Sequence, residues 1–222
     1  MGTEFYVRKP RRDMFALIRR AVIGVSMGFL AAGGLSEFVI QPSRAVSDTM
    51  RPALKKGDMV FTLKLAYGIR LPFIQSRETG LTIPFGKPKT GDVVLVNDPQ
   101  KPVPHALVRL LAFPVYAFTF GRVDLAPKHA VIKRVVALPT DKVSIRFKRV
   151  YVNDVLLKET WPTLTTDARI LPASVSQRDE IAAFVVPYGH YYLLGDNRDY
   201  SYDSRDFGPQ PLSAIEGKVL VK

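Results

Sequence analysis

The chain has 222 residues, of which 47% are apolar and 23% charged, and this balance excludes intrinsic disorder as its main state. It contains no cysteine, which excludes thiol nucleophiles, thiolate metal sites and disulfides together. The net charge of +12 points to an anionic partner, either a lipid surface or a nucleic acid.

The N-terminal part has the pattern of a membrane anchor. Residues 1–20 carry six basic side chains, and a largely apolar run follows over residues 21–40, interrupted late by Ser36 and Glu37. A helix of about 20 residues spans a bilayer core of about 30 Å. We predict a basic cytoplasmic N-terminus over 1–20, one transmembrane helix over 21–40, and the remainder outside a bacterial cytoplasmic membrane.

Two alternatives stand beside this interpretation. A cleaved secretion signal has a similar basic start and apolar core, but no clear small-x-small site follows the run; Ala45-Val46-Ser47 comes closest. A nucleic-acid-binding module would explain the charge, yet the basic residues are spread along the chain and no binding motif accompanies them. The charge together with the apolar run therefore favours a phospholipid membrane as partner, and no nucleic acid.

Residues 41–222 predict a mainly β domain. Runs rich in Val, Ile, Leu and Tyr, mostly bounded by Gly, Pro or Asp, are typical of strands, and seventeen prolines indicate many turns. The predicted strands are 59–64, 92–97, 131–138, 143–152, 191–194 and 217–221. A further apolar stretch at 106–120 is short for a membrane span and contains Pro114, so we expect core or an interfacial loop there.

Three segments carry the candidate chemistry. The first segment (residues 47–54) begins Ser-Asp-Thr-Met-Arg-Pro directly after the apolar run. The second segment (129–139) contains Lys133-Arg134 followed by a short apolar stretch and a proline, and the third segment (195–205) reads Gly-Asp-Asn-Arg-Asp-Tyr-Ser-Tyr-Asp-Ser-Arg. Taken singly, each is compatible with an ordinary loop, strand or charged turn.

Together and in this order, the segments resemble the bacterial type I signal peptidases. That family has Ser-x-Ser-Met-x-Pro, then Lys-Arg before an apolar stretch, then Gly-Asp-Asn-Arg-Asp-x-Ser-x-Asp-Ser-Arg, which this chain matches at every fixed position. The resemblance implies a signal-peptidase-type β-rich catalytic domain with a small inserted β lobe at about 142–190. It also implies an endopeptidase that removes signal peptides from exported preproteins after a small-x-small motif.

The resemblance implies a hydroxyl/lysine dyad made of Thr49 as nucleophile and Lys133 as general base. Because an ordinary lysine, with a pKa of about 10.4, is protonated at neutral pH, Lys133 must be buried to accept a proton. Ser47 matches the position whose hydroxyl helps the nucleophile's backbone N–H to bind the oxyanion. Ser201 matches the serine that orients the lysine amine. The supporting residues implied are Asp196, Asp203 and Arg205.

The substrate of such an enzyme binds as an extended strand in a groove with small apolar pockets. The positions that match the family's groove are Pro42, Arg44, Val46, Met50, Leu54 and Ile132. The three histidines lie in no metal-spaced or nucleophile-elbow motif, and neither a metal nor a cofactor is implied.

The first segment departs from the family at two positions. Thr49 stands where the family has serine, and its methyl group stiffens the side chain and crowds the attack path. Asp48 replaces a small residue, and a carboxylate there would oppose an oxyanion or favour the charged form of Lys133 unless it points to solvent. Thr49 is thus a working but slow nucleophile, a natural loss of function or an introduced change.

These departures leave two further functional hypotheses open. One is a specialised maturation peptidase that serves a single client. The other is a weakly active or inactive relative that binds exported peptides without cutting them.

Overall fold

The computed structural model describes residues 14–70, 82–101 and 129–221, together with Val108 and Val115. The stretch at 106–120, apart from those two valines, and the first 13 residues lie outside the described residues, so the expectations placed on them stay predictions.

The first described element is helix α1 (Met14–Phe38), which begins seven residues before the predicted anchor. None of the helices in the described part of the chain combines the length and apolar character needed to cross a membrane. A second helix, α2 (Ser204–Phe207), follows the third segment, and three short 3-10 helices lie at Asp48–Met50, Lys64–Ala66 and Leu212–Ala214.

Thirteen strands make up the rest of the described secondary structure, which confirms a mainly β fold. In chain order they are β1 (Ile40–Arg44), β2 (Met59–Leu63), β3 (Ile69–Arg70), β4 (Thr82–Ile83), β5 (Val93–Asn97), β6 (Ala130–Ala137), β7 (Lys142–Arg146), β8 (Arg149–Val152), β9 (Val155–Leu156), β10 (Ile181–Val185), β11 (His190–Leu194), β12 (Gln210–Pro211) and β13 (Ile215–Leu220).

The strands form one large antiparallel sheet and two smaller sheets. The large sheet has the order β1-β2-β13-β5-β6-β11-β12, and a four-stranded sheet has the order β10-β7-β8-β9. β3 and β4 form a separate pair. The four-stranded sheet falls within the range predicted for an inserted lobe, while the division of the chain into domains remains a prediction.

Burial explains the two kinds of strand sequence. β5 and β6 lie in the middle of the large sheet and are buried over most of their length, and their runs of Val, Ile and Leu are nearly continuous. β2 lies near an edge and alternates between exposed and buried residues, which matches a strand covered on one face. Side chains from these strands pack into the core directly beneath the first segment.

The predicted strand 143–152 is wrong as a single element, because the chain reverses within it. β7 and β8 pair in register from Val143 opposite Val152 to Arg146 opposite Arg149, with Phe147 and Lys148 as the two turn residues. Both turn residues have positive φ values, 50° and 65°, as a tight hairpin requires. The sequence lacks the Asn-Gly or Asp-Gly pair that normally signals such a turn.

β6 is paired unevenly along its two edges. β5 pairs with it from Ala130 to Arg134, whereas β11 pairs only with the part from Arg134 to Ala137. Among the described strands, the edge of residues 130–133 that faces away from β5 is therefore unpaired. This edge leads directly to Lys133.

Candidate active site

Lys133 lies on β6 and is almost completely buried, with 1% of its surface exposed. Its amine donates a hydrogen bond to the Ser201 hydroxyl, at 2.9 Å. Burial lowers the pKa of Lys133 to about 8, since the charged amine is deprived of water. The Asp203 carboxylate acts in the opposite direction and Arg205 adds to the lowering.

The first segment contributes two hydroxyl groups in contact with each other. Ser47 Oγ and Thr49 Oγ1 are 3.1 Å apart, a hydrogen bond in which either oxygen is able to donate. Thr49 belongs to the short 3-10 helix and is partly buried, while its neighbour Met50 is buried in the core together with Ile132. Met50 thus holds the helix against the strand that carries Lys133.

Gly195 lies where the first and third segments come close together. A Cβ atom at Gly195 would lie 2.1 Å from Ser201 Oγ and 2.6 Å from the Thr49 carbonyl oxygen. The Ser201 hydroxyl and the Thr49 backbone are therefore neighbours across a glycine that leaves no room for a side chain. Ser201, whose hydroxyl contacts the Lys133 amine, therefore lies near the backbone of Thr49; the catalytic roles of Thr49 and Lys133 remain proposals.

Asp203 and Arg205 form a buried ion pair behind Ser201. Asp203 accepts two hydrogen bonds from the Arg205 guanidinium, both at 2.9 Å, and one from the Gly195 N–H, also at 2.9 Å. Burial alone would raise the pKa of the Asp203 carboxyl, but the charge and hydrogen bonds of Arg205 outweigh burial and hold that pKa below its ordinary value. This pair fixes both ends of the loop that carries Ser201.

Asp196 has a different partner, which the sequence did not identify. Its carboxylate accepts two hydrogen bonds from Arg134, at 2.7 and 2.6 Å, and both side chains are buried. The third guanidinium nitrogen of Arg134 donates to the Gly91 carbonyl, at 2.8 Å. Because Arg134 directly follows Lys133, this bidentate pair ties the third segment to the strand of the buried amine. The sequence feature that could have indicated this ion pair is the Lys133-Arg134 dipeptide.

The Asp48 carboxylate is exposed and accepts a hydrogen bond from the Lys56 N–H, at 3.0 Å. It is therefore engaged with the turn that follows the first segment. From the sequence, we expect the Asp48 carboxylate to oppose the oxyanion or to favour charged Lys133 only if it faces the site. Because it contacts the Lys56 N–H instead, this unfavourable effect should be small.

The predicted groove residues fall into two groups. Met50, Leu54 and Ile132 are buried, at 1%, 5% and 8% exposure, and pack in one core cluster. Val46 is 67% exposed, and Pro42 and Arg44 are exposed on β1. Only the buried group forms a single cluster; whether a substrate contacts either group stays a prediction.

Sequence reasoning missed the charged network that attaches the four-stranded sheet to the third segment. The Asp199 carboxylate accepts hydrogen bonds from the Lys148 amine, at 3.0 Å, and from the Thr166 and Asp167 N–H groups, at 2.6 and 2.8 Å. Arg178 joins Asp179 and also accepts, through its carbonyl, a hydrogen bond from Arg205. In the sequence, the one feature that could have indicated this network is that Asp199 lies at a fixed position of the third segment.

The described residues contain no group of three or more side chains able to hold a metal ion. The site is a set of hydroxyl groups and a buried amine, with two ion pairs holding the surrounding backbone. Such an arrangement is suited to nucleophilic catalysis by a hydroxyl group whose proton is taken by an amine.

Comparison with known proteins shows which family the chain matches. Residues 18–222 match the family model described as signal peptidase, peptidase S26. Signal peptidase I of Pseudomonas aeruginosa is 31% identical over 189 residues, covering 77% of this chain and 56% of that protein. Thylakoidal processing peptidase 1 of Arabidopsis thaliana is 30% identical over 204 residues, covering 92% of this chain and 46% of that protein.

A solved structure of a signal peptidase I from Enterococcus faecalis is 22% identical, with a TM-score of 0.39, and covers 60% of this chain and 97% of that one. The chain spans about half the length of the Pseudomonas and Arabidopsis proteins. The match over nearly the whole chain shows that it belongs to the S26 family of signal peptidases, which confirms the resemblance to the type I enzymes.

Proposed function

We propose that this chain is an endopeptidase that removes signal peptides from exported preproteins, with Thr49 as nucleophile and neutral Lys133 as general base. The observation that carries the proposal is the buried Lys133 amine, held 2.9 Å from the Ser201 hydroxyl with its pKa lowered to about 8. An amine with that pKa is neutral in a useful fraction of molecules near neutral pH, so it is able to accept a proton.

The reaction follows from the groups present. The Lys133 amine takes the Thr49 hydroxyl proton as Oγ1 attacks the scissile carbonyl carbon, and the oxyanion formed is bound by the Thr49 N–H and the Ser47 hydroxyl. The carbon–nitrogen bond then breaks, and the leaving amine takes the proton from Lys133. The Lys133 amine, neutral again, then activates a water molecule that hydrolyses the ester on Thr49 and releases the signal peptide.

The unpaired edge of β6 supports a substrate bound as an extended strand. Residues 130–133 offer backbone groups on the side away from β5, and they run directly to Lys133. A peptide added along this edge obtains main-chain hydrogen bonds whatever its sequence, which suits an enzyme with many substrates. A preference for small residues on either side of one variable residue then comes from the space above the core cluster that contains Ile132.

An exposed apolar face supports a membrane location, while the basic residues before α1 are what favours the N-terminus inside and the catalytic domain outside. Phe61 on β2 lies opposite Pro42 on β1 and Leu220 on β13, and Phe61 and Leu220 are 50% and 52% exposed. Met59, on the same face, is 58% exposed. This face, which also carries the exposed Arg44 opposite Met59, fits contact with a lipid interface and its charged headgroups.

The second candidate is a specialised peptidase for a single client, and the Asp48-Thr49 pair favours it. Threonine reacts more slowly than serine in the same position if its methyl group crowds the attack path. A slower nucleophile is tolerated more readily in an enzyme that processes one partner than in one that processes many.

Cleavage of exported preproteins by the full chain in detergent micelles tests the proposal. We expect cleavage after small-x-small sites by the parent, equal or faster cleavage by Thr49→Ser, and none by Thr49→Ala. Lys133→Ala should slow cleavage by about 10²–10⁴-fold. A panel of unrelated preproteins separates a general enzyme from a single-client enzyme. Binding without any cleavage by the parent or by Thr49→Ser would instead indicate a peptide-binding relative.

A further inference from the structure

Asn197 makes two hydrogen bonds to the first segment that the proposed reaction does not use. Its backbone N–H donates to the Thr49 carbonyl, at 3.0 Å, and its side-chain amide donates to the Asp48 carbonyl, at 3.2 Å. Asn197 is 5% exposed. The backbone on both sides of it is held by Leu164, whose N–H donates to the Asp196 carbonyl and whose carbonyl accepts from the Arg198 N–H. These bonds fix the position of Asn197.

The Asp48 carbonyl is held from two directions. It accepts the side-chain amide of Asn197 and also the N–H of Arg51, at 3.1 Å. A trans peptide group holds its C=O and N–H on opposite sides of a rigid plane. Fixing the Asp48 carbonyl therefore fixes the direction of the Thr49 N–H, which belongs to the same peptide group.

That N–H has no hydrogen-bond acceptor within residues 14–70, 82–101 and 129–221. It belongs to the residue whose hydroxyl is the proposed nucleophile, so it is available to the oxyanion formed there. An oxyanion donor contributes most when its direction is set before the reaction, because no energy is then spent on turning it.

We propose that Asn197 is a positioning residue, whose side-chain amide sets the direction of the Thr49 N–H toward the oxyanion by holding the Asp48 carbonyl. This inference rests on the proposed function, since it assigns a purpose to the same site. Asn197 donates its hydrogen bonds to the first segment and not to Lys133, and we assign its effect to the Asp48–Thr49 peptide group.

The variant Asn197→Ala removes the side-chain donor and keeps the backbone bond to Thr49. With a cleavable preprotein, we expect kcat to fall about 10- to 100-fold, because an oxyanion donor whose removal costs about 10²–10³-fold is here loosened and not removed. KM should stay within about twofold, and the acidic limb of the pH profile should stay where it is in the parent, because the surroundings of Lys133 are unchanged.

Asn153→Ala is the control, since it also removes an asparagine side chain that forms hydrogen bonds, but one that lies in the turn after β8. It should leave kcat unchanged. Three results would overturn the inference: a kcat for folded Asn197→Ala within twofold of the parent, a displaced acidic limb, or a loss of activity that follows the fraction of unfolded protein.

A measurement independent of turnover separates this inference from the proposed function. In full-length protein labelled with 15N-threonine, Thr49→Ser identifies the Thr49 amide resonance by its disappearance. We expect that resonance to shift or broaden in Asn197→Ala and to stay unchanged in Asn153→Ala. An unchanged resonance in Asn197→Ala overturns the inference even if the parent cleaves. If the resonance changes in Asn197→Ala but the parent cleaves nothing, the result supports Asn197 as a positioning residue and refutes the proposed peptidase activity.

Discussion

Replacement of Lys133 by methionine should stabilise the protein near neutral pH. Methionine has a similar length and no charge, so it fills the same buried space without the penalty of a desolvated amine. The pKa of Lys133 falls from 10.5 to about 8 on folding, and each pKa unit corresponds to about 1.4 kcal/mol, so the buried charge costs about 3 kcal/mol at pH 7. The variant loses the hydrogen bond to Ser201, which costs about 1 kcal/mol, so we expect its free energy of unfolding to exceed that of the parent by about 2 kcal/mol.

The gain has a defined dependence on pH. Between pH 8 and pH 10.5 the unfolded parent binds a proton at Lys133 that the folded parent does not, so the stability of the parent rises with pH in this window. The advantage of Lys133→Met should therefore be complete well below pH 8 and disappear near pH 10. At higher pH the variant should be less stable than the parent by up to about 1 kcal/mol, because only the lost hydrogen bond to Ser201 then counts. Ionisable groups other than Lys133 are common to both proteins, so their contributions cancel in the difference.

Urea denaturation of the full chain in detergent micelles, at several values between pH 6.5 and 10.5, gives the difference in unfolding free energy directly. Lys142→Met is the control, because Lys142 is exposed and pairs with the exposed Asp154; it should show little change and no trend with pH. A Lys133→Met variant that is less stable at pH 7, or whose advantage does not shrink as the pH rises, would refute the idea that burial disfavours the charged amine.

Three further predictions concern residues around the amine. Gly195→Ala should slow cleavage by at least about 100-fold, since its Cβ would displace Ser201 and the Thr49 backbone, whereas Gly24→Ala, with open space around it, should have no effect on the cleavage rate. Asp203→Asn should move the acidic limb of kcat/KM to lower pH, because Asp203 favours the charged form of Lys133; a limb displaced to higher pH would contradict this. Asp48→Asn keeps an acceptor for the Lys56 N–H and removes an exposed charge, so the cleavage rate should change by no more than about threefold; a larger increase would mean that the carboxylate opposes catalysis.

Much of the fold was predictable because the central strands are buried on both faces. β5 and β6 have almost uninterrupted apolar runs, and β2 alternates, so their patterns are strong. β1 reads Ile-Gln-Pro-Ser-Arg and has no such pattern, because it lies at an edge of the sheet, where proline is tolerated. Its place in the large sheet comes from pairing with β2, which local sequence does not encode.

The site was predictable only as a set of residue types. The resemblance pointed to Thr49, Lys133 and Ser201, and the structure adds how they are held. The Arg134–Asp196 pair joins residues far apart in the chain, so no spacing rule reveals it. The hydrogen bonds of Asn197 are likewise a property of how the first and third segments meet, and the burial of Lys133 depends on the whole core around it.

The pH dependence of kcat/KM for cleavage of a preprotein by the full chain tests the central role of the neutral amine most directly. With a Lys133 pKa of about 8, about a tenth of the molecules carry the neutral amine at pH 7 and about nine-tenths at pH 9. We predict a tenfold rise between these values with a midpoint near pH 8, and no such rise for Lys133→Met. A flat profile, or a midpoint near pH 10, would contradict Lys133 as the base.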